Sequence, residues 1–175
     1  EPEETSKKVT LAKIPDKLLN ASKTDWEPVN YRGVDIEYNL YGLSRVEIKY
    51  DEKLQHILYK IIEPELTEDE EEKLYYLKKA FIYVFDKVSP EASSISGKEL
   101  IVDRTRKLAA KYKIKFTEEE FQNVTYYLVR DFLGLDILEP IMHDPYIEDV
   151  SCDGLGVPIF VNHLKYGPLE VNRAY

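Results

Sequence analysis

Three stretches of the chain hold residue types that do chemistry, and each can be tested by what its spacing leaves out. "ASSISGKE", residues 92–99, is the nearest approach to a phosphate-binding loop. That chemistry needs Gly-x-x-x-x-Gly-Lys-Ser/Thr, so that backbone N–H groups wrap the phosphates and a hydroxyl reaches magnesium. Gly97 and Lys98 match, but Ala92 stands for the first Gly and Glu99 for the hydroxyl residue. A carboxylate there repels phosphate, and the stretch reads better as a helix start with a serine cap. "PYIEDVSCDG", residues 145–154, sets the only cysteine, Cys152, among Glu148, Asp149 and Asp153. A reactive thiolate needs a nearby cation or a helix N-terminus, and these neighbours are the opposite. Cys152 is therefore expected as a small side chain at a strand end. A metal site would have to join Cys152 to His143, His163 or the carboxylates, yet no C-x-x-C or H-E-x-x-H spacing occurs. With 33 acidic residues, no glycosidase-like carboxylate pair stands out from the rest. The residues describe a binding or scaffold module without a visible catalytic centre.

Composition limits the partners. The 175 residues carry a formal charge of −9, with 24 Lys and Arg against 33 Asp and Glu. That balance argues against a nucleic-acid surface, which clusters cations against phosphate, and against adhesion to anionic lipid. No apolar run approaches the ~20 residues that cross a bilayer. "EPEETSKK" lacks the basic-then-apolar order of a secretory signal, and one cysteine forms no internal disulfide, so a cytoplasmic setting is expected.

The elements that must position these residues follow from changes of hydrophobic period. Residues 1–30 are expected to be a flexible N-terminal segment, with a short helix around Leu11, Ile14, Leu18 and Leu19. "RVEIKY" alternates apolar and charged residues, and "LQHILYKII" follows after "DEK", which predicts an antiparallel hairpin. Its lysines and Pro64 suit an edge strand. The period then becomes helical: Thr67 and Glu70 form a capping box ahead of Leu74, Leu77, Phe81, Val84 and Val88. A polar linker, "SPEASSIS", leads to a second helix from about Lys98 to Tyr112. Thr117 and Glu120 repeat the start signal for a third, lined by Phe121, Val124, Leu128 and Phe132, with Gly134 placed to end it in a left-handed turn. After a helical turn stopped by Pro145, "YIEDVSC", "VPIFVNH" and "PLEVN" read as three short strands.

The fold class expected is α+β: an N-terminal β-hairpin with a three-helix bundle over residues 31–133, followed at 134–175 by the start of a small antiparallel-type sheet. A three-stranded sheet of that size is marginal alone, so the chain is expected to be part of something longer.

The stretch from Tyr127 to Gly167, "YLVRDFLGLDILEPIMHDPYIEDVSCDGLGVPIFVNHLKYG", resembles the N-terminal domain of type II/type IV secretion superfamily ATPases, in particular the archaeal archaellum and type IV pilus assembly branch. The residues that carry the resemblance are Gly134, Pro140, Asp144, Pro145, Ile147, Glu148, Asp149, Gly154, Pro158, His163, Lys165, Tyr166 and Gly167. The resemblance implies the N-terminal region of a hexameric ATPase, peripheral at the inner face of the membrane. Its motor domain, absent here, would bring ATP and magnesium. The partners implied are that C-terminal motor domain, a membrane platform protein and accessory subunits of the machine; nucleic acid is not among them. This region would dock partners and regulate, without catalysis of its own. The cations by which such a region reaches nucleotide do not map residue by residue. Lys165, beside Leu164 where relatives often carry Arg, and Arg173 are the candidates. The alternative from another class is a free-standing acidic interaction module or adaptor, whose acidic helix start recruits a basic partner.

Overall fold

Alternation of side chains decides the sheet. In the computed structural model, which describes residues 31–85 and 96–174, the strand β2 (Arg45–Asp51) buries Val46 and Ile48 and turns Arg45 outward. β3 (His56–Ile62) pairs with it antiparallel, Ile48 opposite Tyr59 and Asp51 opposite His56. The turn between them has no glycine, so Gln55 takes φ 59° and the Asp51 carboxylate accepts from the N–H groups of Lys53 and Leu54 at 2.8 and 3.0 Å. This is the side-chain substitute for a glycine turn. The hairpin is thus present, but a further strand, β1 (Asp35–Asn39), lies on its outer side.

The hairpin does not stand apart from the C-terminal strands. β4 (Ile147–Ser151), β5 (Pro158–His163) and β6 (Gly167–Ala174) form the expected meander. β6 then pairs parallel to β3, giving one six-stranded sheet in the order β1-β2-β3-β6-β5-β4. Two expectations are corrected here. β3 is an interior strand, so the edges are β1 and β4, and Pro64 follows the strand without guarding an edge. The small sheet is not separate either, because the helices are inserted between two halves of one sheet. The physical reason is burial: Val171, Leu169, Val161 and Ile159 complete a core begun by Val46, Ile48, Ile57, Tyr59 and Ile61, which neither half could keep from water alone.

The helices make a second core. α1 (Glu68–Phe85), α2 (Gly97–Tyr112) and α3 (Glu118–Leu133) converge on Leu74, Leu77, Phe81, Ile101, Leu108, Val124 and Leu128. Each fully buried Leu or Phe contributes roughly 1.5–3 kcal/mol. All three helices open with a capping box: Thr67 with Glu70, Ser96 with Glu99, and Thr117 with Glu120. Val84 and Val88, expected on the inner face of α1, and the segment 1–30 lie outside what the structure describes at side-chain level. α3 ends at Gly134, though not in a left-handed turn: Gly134 is extended at φ −104°. A Cβ there would sit 2.4 Å from Cδ of Glu139, so that side chain would have to move aside. Asp136 (φ 53°) takes the left-handed position instead and opens a 3-10 turn, Asp136–Leu138, leading into α4 (Glu139–Met142).

Candidate functional site

Two buried polar clusters and an open cleft are built where the elements meet. The first cluster centres on Glu63, the residue after β3, whose side chain is 3% exposed. Arg130 on α3 grips both its oxygens through Nη1, at 3.0 and 2.8 Å, and Arg173 on β6 reaches it at 2.6 Å. Tyr126, one helical turn before Arg130, donates its hydroxyl to the same carboxylate at 2.6 Å. Arg130 also binds Asp131 at 2.6 Å and Asp136 at 3.0 Å, while Lys78 from α1 pairs with Asp131. Burial works against the Arg130 charge, but its bonds to Asp131 and Glu63 more than offset this and hold its pKa above the ordinary value. Burial and the nearby Asp131 charge push Asp136 up, and burial pushes the Tyr127 hydroxyl to about 12.

Beside this cluster lies an open cleft of about 880 Å³, walled by Leu66, Leu74 and Tyr75 and touched by Lys78, Arg130 and Arg173. Both arginines are already engaged by Glu63, so an anion entering here must compete with a buried carboxylate. The cluster is first of all a joint between sheet and bundle.

The second cluster lies within the run from Gly134 to Gly167 and the strands it meets. Asp144, 4% exposed, sits between α4 and β4. Its Oδ2 accepts from the hydroxyls of Tyr38 on β1 and Tyr59 on β3, both at 2.6 Å, and its Oδ1 accepts from the N–H of Tyr146 at 2.9 Å. Burial, and then the Asp144 charge, drive both tyrosine hydroxyls well above their usual range, so they stay protonated donors. His163 is packed between Tyr146 and Tyr166, with ring centroids 5.9 and 5.0 Å away. Its Nδ1 accepts from the N–H of Lys165 at 3.0 Å. Burial lowers its pKa, with Asp144 pulling the other way, so the ring is neutral at pH 7. The cluster clamps the corner of the sheet.

The structure therefore gathers Asp144, His163 and Tyr166, with Lys165 lying over the Tyr166 ring at 4.9 Å. Pro140 is buried in the first turn of α4, next to the Gly134–Glu139 contact. Pro145 is exposed and Ile147 half-buried, while Glu148 and Asp149 point outward from the edge strand β4 at an irregularity between Ile147 and Asp149. Glu148 accepts from Asn162 at 3.1 Å. Gly154 (φ 143°) and Gly167 (φ 69°) are turn glycines with open space around them. Cys152 is an exposed free thiol, and no group of three or more His, Cys, Asp or Glu among the described residues is arranged to hold a metal. His143 stacks on Tyr41 and bonds Glu139 at 2.8 Å, far in role from His163. Of the two candidate nucleotide cations, Lys165 lies in the turn before β6 and Arg173 near that strand's far end, roughly 20 Å away at the ordinary strand rise. They do not converge on one ligand.

Sequence reasoning missed Glu63, Tyr38, Tyr59 and the pair Tyr126 and Arg130. One signal was present: Arg130 follows Leu128 and Val129 on the inner side of α3, one turn beyond Tyr126, where a charge without a partner is not tolerated. Its partner Glu63 is 67 residues away and has no local signal.

No family model matches the chain. It is 25% identical over 158 residues to an uncharacterized protein, MJ1288, of Methanocaldococcus jannaschii, an alignment covering 90% of this chain and 62% of that protein. It is 28% identical over 183 residues to a second uncharacterized protein of the same organism, MJ0900, covering 94% of this chain and 32% of that protein. The chain thus spans less than two thirds of either relative. Among the described residues no helix is long and apolar enough to cross a membrane. What these comparisons establish is a likeness to longer archaeal proteins.

Proposed function

We propose that this chain is the N-terminal partner-docking and regulatory region of a hexameric secretion or pilus-type assembly ATPase, without catalysis of its own. The observation that carries the reading is the run from Gly134 to Gly167. Its signature residues occur in the family's order, and Asp144, His163 and Tyr166 form the clamp that shapes one corner of the sheet. The 32% coverage of MJ0900 accords with a region followed or preceded by further domains. ATP and magnesium belong in this reading to a motor domain beyond residue 175, and the membrane platform and accessory subunits to its surroundings.

The test is to read the coding sequence beyond residue 175 and to express the whole protein. The reading expects a Gly-x-x-x-x-Gly-Lys-Ser/Thr motif downstream, ATP hydrolysis by the whole protein and hexamers in sedimentation. A downstream sequence without that motif would sink it.

A second reading, an acidic interaction module, is favoured by the outer face of α1. Tyr75, Tyr76, Ile82 and Tyr83 are exposed there, beside Glu68 and Glu72 at the helix start. Glu70 is excluded from that acidic surface, since it is buried, caps Thr67 and accepts from Asn123 at 3.0 Å. Replacing Tyr76 and Tyr83 by Ser should abolish capture of a basic partner while leaving the fold intact; retained capture removes this reading.

A further inference from the structure

α1 turns one side to the helical core and the other to water. Leu74, Leu77 and Phe81 are buried, whereas Tyr75, Tyr76, Ile82 and Tyr83 are each more than half exposed. Two helical turns separate Tyr75 from Ile82 and Tyr76 from Tyr83, so the four share one outer face. Elsewhere Leu54, Leu155 and Leu164 are exposed singly, in turns. Single apolar residues in water are ordinary, but a contiguous group marks a surface that something covers.

The charges on α1 say what kind of chemistry that is. Glu68, Glu71 and Glu72 are exposed, and none is in an ion pair among the described residues. Glu70 is buried in its capping box, and Asp69 is taken by Lys73 at 2.5 Å. The cations are all engaged: Lys73 also reaches Glu120, Lys78 pairs with Asp131, and the Lys79 ammonium lies over the Tyr75 ring at 4.3 Å. Three free carboxylates therefore adjoin three tyrosine rings and an isoleucine. Lysines separated by aliphatic side chains complement both halves of such a face, by charge and by contact with the rings.

The chain itself holds a segment of that composition. Residues 7–24, "KKVTLAKIPDKLLNASKT", set five lysines against one acid, Asp16, with Val9, Leu11, Ile14, Leu18 and Leu19 between them. The segment carries +4, where the other residues together carry −13. Its reach is sufficient. Tyr31, where the described chain begins, packs on Tyr166 of the sheet. The stretch from Ile14 to Tyr31 extends up to roughly 55 Å, and a compact unit of this size is roughly 35–40 Å across. A tethered segment also meets the face at an effective concentration of about millimolar, above that of most free partners.

We propose that residues 7–24 pack on the outer face of α1, their aliphatic side chains against Tyr75, Tyr76, Ile82 and Tyr83 and their lysines toward Glu68, Glu71 and Glu72. The contact is autoinhibitory, because a basic partner must displace it. It rests on the acidic-module reading of this face and is independent of the ATPase reading.

The experiment keeps all 175 residues. A nitroxide is attached at Ala12→Cys, with the exposed Cys152 changed to Ser so that one thiol remains, and paramagnetic broadening of ¹⁵N amides is read in dilute protein. The expected result is broadening concentrated on the solvent face of α1, between Glu68 and Tyr83. Lys8→Glu, Lys13→Glu and Lys17→Glu together should weaken it at least about threefold, and adding Glu71→Lys and Glu72→Lys should recover it, as a direct charge contact requires. Tyr76→Ser with Tyr83→Ser should also lose it at an unchanged melting temperature, since both side chains are exposed. Broadening absent from α1, spread over the whole surface, undiminished by the lysine reversal or unrecovered by the charge swap would overturn the proposal. So would broadening of α1 when nitroxide-bearing chains are mixed with ¹⁵N chains that carry none, since the occupant would then be a second copy. An uncovered α1 that still captures a basic partner through Tyr76 and Tyr83 would remove this contact and leave the acidic-module reading standing.

Discussion

Asp144 holds two tyrosine hydroxyls that have been taken out of water, and its removal strands both. Asp144→Ala should cost about 3 kcal/mol in urea or guanidinium unfolding, because each unsatisfied buried donor carries its own desolvation penalty. The Tyr59→Phe change removes one donor only and should cost less than half as much. His163 gives the molecule a pH dependence whose sign follows from burial. Its pKa in the folded chain lies below the unfolded value near 6.5, so the unfolded state binds the extra proton. The contribution of the neutral ring is complete above about pH 6.5 and is lost as pH falls through that value toward the lower folded pKa. Melting temperatures measured between pH 7.5 and 5 should fall with acidification, and His163→Phe should flatten that slope; an unchanged slope would assign the effect to the carboxylates. Glu63 behaves differently, because it compensates two arginines at once. Glu63→Gln should destabilise by about 3–5 kcal/mol, leaving Arg130 and Arg173 short of their counter-charge.

At the level of elements, local rules were obeyed at helix starts and overruled at the end of α3. Three capping boxes stand where a hydroxyl residue is followed three positions later by Glu. Thr117→Ala should cost about 1 kcal/mol, seen as earlier melting in circular dichroism, because the Glu120 N–H loses its Oγ1 acceptor while the N–H of residue 117 keeps the Glu120 carboxylate. Gly134 shows the opposite situation. Its local sequence context reads as a left-handed stop, yet the constraint is the Glu139 carboxylate, which folds back to accept from the Leu135 N–H at 2.9 Å. The same close approach recurs at Gly42 (φ 60°), where a Cβ would lie 3.0 Å from the Tyr126 ring. Gly42 sits at the joint between sheet and bundle, where the β1–β2 turn meets α3, and its left-handed φ is one that favours glycine.

For the whole molecule, the parallel seam between β3 and β6 decides how stability is shared. Strands from residues 35–62 and 147–174 contribute to one apolar cluster. Val161→Ala should therefore lower hydrogen-exchange protection in β2 and β3, about a hundred residues away in sequence, as well as in its own hairpin. Protection lost only in β4–β6 would show two independent sheets. The bundle, with its own core, should keep its protection in α1 and α3 under the same change.

Period and end signals were enough to find the hairpin, the three long helices and the C-terminal meander, because amphipathicity and capping are local properties of a few neighbouring residues. The same reading recognised that the Ser96–Glu99 stretch is a helix cap, since that depends only on neighbours along the chain. β1 went unread because five residues with two partly buried side chains carry little periodic signal. What the tertiary structure decided is everything that joins distant segments: the β3–β6 pairing, the charge of Arg130 answered by Glu63, and Asp144 shared between two strands. Those choices turn on burying surface that each half exposes and on finding partners for groups already removed from water. Neither demand exists until the chain has folded.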